Sequence, residues 1–164
     1  MKVGLLIVDM QESIVRKKMD QTSASIEHAC EYINHVANVL RSNDHVVVHV
    51  QDMEGMEEAP PEEYRIIPEV DVNEKDITVT KEASNAFWQT NLEQVLKSHG
   101  IELVIISGFA AEECVLFTYN GAMERGFRPV MLQNGILSTH PEAVTSTYRD
   151  SNVISYPVVD YLIQ

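Results

Sequence analysis

Apolar positions along the chain follow two alternating rhythms. Short dense runs of strand length appear at VGLLIVD (3–9), HVVVHV (45–50), DITVTK (76–81), ELVIISG (102–108), RPVMLQ (128–133) and NVISY (152–156). Between them lie longer segments with apolar residues three and four apart. From Ser23 to Ser42 these are Ile26, Ala29, Cys30, Ile33, Val36, Ala37 and Leu40, which share one helical face. WQTNLEQVLKSHG (88–100) predicts a helix closed by Gly100. Glu112 to Arg125 predicts another, ending at Gly126, and PEAVTSTYR (141–149) one that opens on Pro141. The stretch 53–70 carries three prolines and many glutamates. It reads as a loop with a short irregular helix, long enough to favour a functional or interface role. The tail beyond 156 reads as short.

Strands that are apolar throughout, alternating with helices, predict an α/β fold of three layers. Helices cover both faces of a mainly parallel six-stranded sheet, order 3-2-1-4-5-6. Ligands of such sheets bind beyond the carboxyl ends of the strands, where the strand order reverses. Strands one and four flank that point.

Composition narrows the function. The 164 residues, 45% hydrophobic, suit one domain with a sizeable core. A net charge of −13 repels phosphate backbones and anionic lipid, so neither nucleic acid nor membrane is an expected partner. Two cysteines far apart, Cys30 and Cys114, read as free thiols of an intracellular chain. The apolar N-terminal stretch is interrupted by Asp9 and Gln11 and reads as a buried strand rather than a signal peptide. No run approaches membrane-helix length, and the expected compartment is the cytoplasm.

Three chemistry-bearing residues fall at strand ends. Asp9 closes strand one, Lys81 closes strand three, and Cys114 lies just past strand four. Only a thiolate is a good nucleophile, and a helix N-terminus and a nearby ammonium lower a thiol pKa. An aspartate can take the thiol proton and later activate water. Backbone N–H groups at the turn can bind an oxyanion. Each residue also has a plainer reading: a core thiol, a turn-forming aspartate, a surface lysine. Glu112 and Glu113 work against a lowered thiol pKa, and equally serve as acidic first-turn residues of a helix.

Four segments in order, LLIVDMQ (5–11), KEASNAFWQTNL (81–92), ISGFAAEECV (106–115) and AMERGF (122–127), resemble the isochorismatase-like, or cysteine hydrolase, superfamily over nearly the whole chain. The resemblance implies a catalytic triad with Asp9 as general base, Lys81 as charge partner and Cys114 as nucleophile, acting through a covalent thioester-type intermediate. It implies a cis peptide at Phe109–Ala110 and oxyanion donors on the N–H groups of Ala110 and Cys114. Phe87 or Trp88 would wall the substrate pocket, with simple core packing equally open to them. Gln11, matching the D-x-Q element, is placed at the pocket and at the strand-one turn. The family's zinc-dependent nicotinamidases resemble D-x-H after strand two. Here Asp52 is followed by Glu54, 53–70 holds no histidine, and His49 reads as packed. No catalytic metal and no cofactor are therefore expected. Ala111 and Asn134-Gly135 replace the commoner Thr and Asp-Ala. The intact cysteine favours the amidohydrolase side, with a small amide-like substrate and a homo-oligomer, dimer or larger. The alternative is a non-catalytic small-molecule-binding or thiol redox-responsive protein on the same fold.

Overall fold

The computed structural model describes residues 1–19 and 23–163. Six strands, β1 (Lys2–Val8), β2 (Val46–Asp52), β3 (Ile77–Lys81), β4 (Ile101–Phe109), β5 (Arg128–Leu137) and β6 (Val153–Ile154), form one sheet in the order β3-β2-β1-β4-β5-β6. Every pairing is parallel. Both faces are covered, which is why the strands read as unbroken apolar runs. Odd positions of β1 (Val3, Leu5, Ile7) meet α1 (Ser23–Ser42) and α6 (Tyr156–Ile163). Even positions (Leu6, Val8) meet α3 (Leu92–Ser98), α4 (Leu116–Glu124) and the edge of α5 (Pro141–Asp150). Each such buried Leu, Ile or Val contributes about 1.5–3 kcal/mol.

Three differences from the pattern-based expectation have physical causes. Helix α3 starts at Leu92, not at Trp88, because Gln89 adopts a left-handed φ of 53° and Thr90 Oγ1 accepts the Leu92 N–H. Strand β5 runs on to Leu137 through a register shift, with Asn134 at φ 62° absorbing the irregularity. The tail is not short irregular chain but α6, whose Val159 and Ile163, four apart, are buried against the α1 face. The long loop contains one helical turn, α2 (Pro61–Tyr64), and is tied down. Ile67 N–H donates to Met10 O (2.9 Å) and Glu12 N–H to Arg65 O (3.0 Å), just past β1.

At the switch point the strands touch backbone to backbone. Gly108 has φ 107°, and a Cβ there would lie 2.1 Å from the Val8 carbonyl oxygen. Only glycine fits, so β4 approaches the end of β1 closely just before the chain turns toward Cys114.

Candidate active site

Four strand ends build the site. Asp9 follows β1 directly, in a left-handed turn at φ 52°, its N–H bonded to Val50 O of β2 (2.9 Å). Asp52 ends β2 and stands in register with Lys81, which ends β3. Lys81 is 1% exposed and reaches across β2 toward β1. Its Nζ lies 2.9 Å from Asp9 Oδ2, 2.8 Å from Asp52 Oδ2 and 3.6 Å from Cys114 Sγ. A buried ammonium alone would cost several kcal/mol; two carboxylates offset that.

Cys114 sits on a wide, π-helical turn (Ala111–Val115) after β4, where Glu113 departs from helical backbone angles (φ −118°, ψ −107°). The Ala110 carbonyl accepts the N–H groups of Glu113 and Val115, which fixes the turn. The Phe109–Ala110 peptide is cis. The thiol is half-buried. Thus Asp9, Lys81 and Cys114, distant in sequence, meet in one place.

The charges set the resting state. Burial pushes the Asp9 carboxyl up to about 6, with Lys81 and the Cys114 thiol pulling it partly back. Burial alone would pull the Lys81 ammonium down, but Asp9, Cys114 and Asp52 outweigh it and raise its pKa. Cys114 is pushed up to about 12, first by burial and then by the charge of Asp9, with Lys81 only partly opposing. The shift runs opposite to the lowering that a helix N-terminus and a nearby ammonium would give. The cysteine does not cap a regular α-helix, since α4 begins two residues later at Leu116, and the ammonium beside it is shared with two carboxylates. Near pH 7 the centre holds an Asp9 carboxylate, a Lys81 ammonium and a Cys114 thiol.

The remaining expected site residues divide. Trp88 is 57% exposed and lines a cavity of about 360 Å³ together with Met53, Lys81 and Glu82. Phe87 does not line it. It is buried, stacks on Phe127 with centroids 5.9 Å apart and lies under the Arg125 guanidinium. Gln11 is not a pocket residue either. It is fully buried; its Nε2 donates to Asp52 O (3.0 Å) and Tyr64 O (2.9 Å), and its Oε1 accepts the Asp52 N–H (2.7 Å). It is a clamp that holds Asp52 under the lysine.

Asp52 is the site residue the sequence reading did not place. It was weighed there only as a zinc ligand. The signal lay in its position: the last residue of the strand between those ending in Asp9 and Lys81.

Asp9, Asp52 and Cys114 bring ligand atoms within 4.8 Å of one another, a set that could hold a divalent ion. The Lys81 ammonium bonds to all three, so the cation position is filled by the protein. Asp52 Oδ1 already accepts the Glu54 N–H (2.9 Å), and His49 is turned away to Asp76 (2.9 Å). These residues do not fit a zinc site.

The isochorismatase domain family model matches residues 3–152. The chain belongs to the isochorismatase family. An uncharacterized isochorismatase family protein of Bacillus subtilis, YwoC, is 26% identical over 161 residues, covering 90% of this chain and 84% of that protein. N-carbamoylsarcosine amidase of an Arthrobacter species is 35% identical over 69 residues, 42% of this chain and 26% of the enzyme. The crystal structure of an isochorismatase-like hydrolase from Alkaliphilus metalliredigens has the same fold, with TM-score 0.84 at 24% identity over 100% of this chain and 98% of that one. The family thus includes hydrolases and amidohydrolases. No helix among the described residues is long and apolar enough to cross a membrane.

Proposed function

We propose that this family member is a hydrolase of small amide-like or carbamoyl substrates that works through a covalent cysteine intermediate. The observation supporting it is the buried Lys81 ammonium, which joins the Asp9 carboxylate to the Cys114 sulfur at 2.9 and 3.6 Å. Because the thiol is pushed up to about 12, its proton leaves during attack rather than before it. Asp9, ionised above about 6, accepts that proton as sulfur bonds to the carbonyl carbon and the carbonyl electron pair moves onto oxygen. In this reading the N–H groups of Ala110 and Cys114 receive the oxyanion. As the adduct collapses, Asp9 passes the proton to the leaving amine and the C–N bond breaks, leaving a thioester. Water then gives a proton to Asp9 while its oxygen attacks the thioester carbon. The C–S bond breaks, and the departing thiolate recovers the proton from Asp9. Lys81 keeps its charge throughout and steadies whichever of Asp9 and Cys114 is anionic.

A redox-responsive thiol is the weaker reading, since such a thiol needs a depressed pKa and Cys114 has the opposite. The test is a screen of small amides, carbamoyl compounds and nicotinamide with intact-mass detection of an acyl adduct. Hydrolysis, an adduct on Cys114 and loss of both in Cys114→Ala are expected. Full hydrolysis retained by Cys114→Ala sinks the proposal.

A further inference from the structure

A lysine ammonium has three N–H donors and accepts nothing. At Lys81 all three are taken: by Asp9 Oδ2 at 2.9 Å, Asp52 Oδ2 at 2.8 Å and Cys114 Sγ at 3.6 Å. Asp9 and Cys114 exchange a proton in the reaction proposed above. Asp52 has no part in any of its steps, yet it makes the shortest of the three contacts to a fully buried side chain. It is also held by bonds that involve no reacting group. Gln11 bonds its backbone N–H (2.7 Å) and carbonyl (3.0 Å), strand pairing sets it opposite Lys81, and the Glu54 N–H donates to its Oδ1 (2.9 Å).

A buried ammonium with a single carboxylate closes onto it as a tight pair. Asp9 would then hold its charge too firmly to take a proton, and the other N–H groups would be free to swing away from the sulfur. Asp52, at the end of the strand between, takes one N–H and part of the charge. With two directions of the tetrahedral nitrogen fixed by carboxylates, the third N–H is aimed, and it meets Sγ. We infer that Asp52 is a positioning residue that holds the Lys81 ammonium between Asp9 and Cys114, so that one cation serves the aspartate before proton transfer and the sulfur after it. The inference rests on the hydrolase reading for the reaction and on the three Nζ contacts for the role. The charges agree in sign. The titratable groups facing Asp9 are Lys81, Cys114 and Asp52, and Asp52 adds to burial in raising the Asp9 carboxyl. It likewise adds to burial and Asp9 in raising the Cys114 thiol.

Substitutions at Asp52 separate aim from charge. Asp52→Asn keeps an oxygen for the Lys81 N–H and removes the charge, whereas Asp52→Ala removes both. Asp52→Ala should lower kcat/KM about 10²-fold through kcat, with KM changed by less than about threefold. Asp52→Asn should lower it about tenfold and move the acid limb of the pH profile below about 6. Asp52→Glu, which returns the carboxylate one methylene away, should regain part of the lost kcat. A second readout needs no substrate. Iodoacetamide labelling of Cys114 at about pH 9 should quicken about tenfold in Asp52→Asn, a fall of one unit in the thiol pKa. Peptide mapping reads it, with buried Cys30 as internal reference. Because Gln11 holds the Asp52 backbone and not its side chain, Asp52→Asn keeps the test valid even where Asp52→Ala does not fold. If the labelling profile shifts as expected while the wild type hydrolyses no amide, the hydrolase reading fails and the positioning role stands. If the wild type hydrolyses an amide but Asp52→Asn leaves both the acid limb and the labelling profile unmoved, the role is overturned while hydrolysis stands. A rate loss with both profiles unmoved overturns it equally, since Asp52 would then only support the fold.

Discussion

Two buried clusters pair a cation with carboxylate on this sheet, and they differ in what is left over. Near Ile77, at the start of β3, Asp76 accepts the Arg41 guanidinium at both oxygens (2.9 and 2.6 Å), the His49 Nε2 (2.9 Å) and the Asn73 N–H (2.9 Å). Burial would raise the Asp76 carboxyl, but Arg41, Asn73 and His49 outweigh it and hold it below 3.8. At the other end of β3, Lys81 joins Asp9, Asp52 and Cys114. There Asp9 keeps one oxygen without a partner among the described residues, and its carboxyl rises to about 6. Each cluster fixes one end of the same strand. The first spends its acceptors on binding α1 to the sheet. The second keeps a base and a proton donor in reserve. A buried ion pair becomes chemistry when its hydrogen bonding is left incomplete.

The sharpest way to break the contrast is to remove each cation. Lys81→Met leaves Asp9 and Asp52 facing each other without a positive charge. It should lower kcat/KM by at least about 10³-fold in the screen that identifies a substrate. Arg41→Met should leave the rate of the folded protein within about a few-fold, because it touches no reacting group. The opposite effect is expected at Asp76. Asp76→Ala strands Arg41 and His49 and should cost about 3 kcal/mol by urea denaturation, with Asp9, Lys81 and Cys114 undisturbed. A rate loss as deep as that of Lys81→Met would erase the distinction.

The pH profile separates the clusters next. Asp9 must be ionised to act, so kcat/KM should rise about tenfold per pH unit up to about 6 and then level off. With the thiol at about 12, it should add no further limb near neutrality. A limb near 8 would mean that a free thiolate, not the Asp9–Cys114 pair, is the reactant. In stability the signs oppose. The raised Asp9 costs stability when ionised, so protonating it between about 6 and 3.8 recovers that cost. The depressed Asp76 contributes stability above 3.8, lost as pH falls through its lower folded value. His49, lowered from 6.5 chiefly by burial, adds a loss as pH drops below 6.5. The smallest expected effect is at the clamp. Gln11→Ala removes the partner of the Asp52 N–H and one donor each to the Asp52 and Tyr64 carbonyls, Tyr64 O keeping Gln51 Nε2; it should cost about 2 kcal/mol and slow hydrolysis by less than the triad variants. Full activity would show that Asp52 needs no clamp.

What the sequence disclosed follows the same division. Strand runs, the α1 face and the order of the sheet were legible because burial on both faces writes itself as continuous Val and Ile. Asp9, Lys81 and Cys114 were legible as polar residues at strand ends. Asp52 and Gln11 were not placed in their roles, because those roles depend on strand register and on a loop folding back over β1. Phe87 and Trp88 are neighbours that a pattern cannot tell apart; in the turn that Asn85 fixes, accepting both their N–H groups, one enters the core and the other faces the cavity. Helix α6 was missed although Val159 and Ile163 stood four apart. The raised thiol pKa was not legible, because its largest cause, burial, depends on how the turn after β4 packs, and its second, the charge of Asp9, on where β1 ends.

The pairing of Asp52 with Lys81 makes catalysis a witness to assembly. β3 is an outermost strand, held to the sheet along one side only. Sliding it by a single residue would present Thr80 or Glu82 opposite Asp52 and swing the amine to the other side of the sheet. Such a molecule could keep its helices and most of its core and still be inert. Turnover per mole of protein would then count correctly threaded sheets, a fraction that circular dichroism does not see.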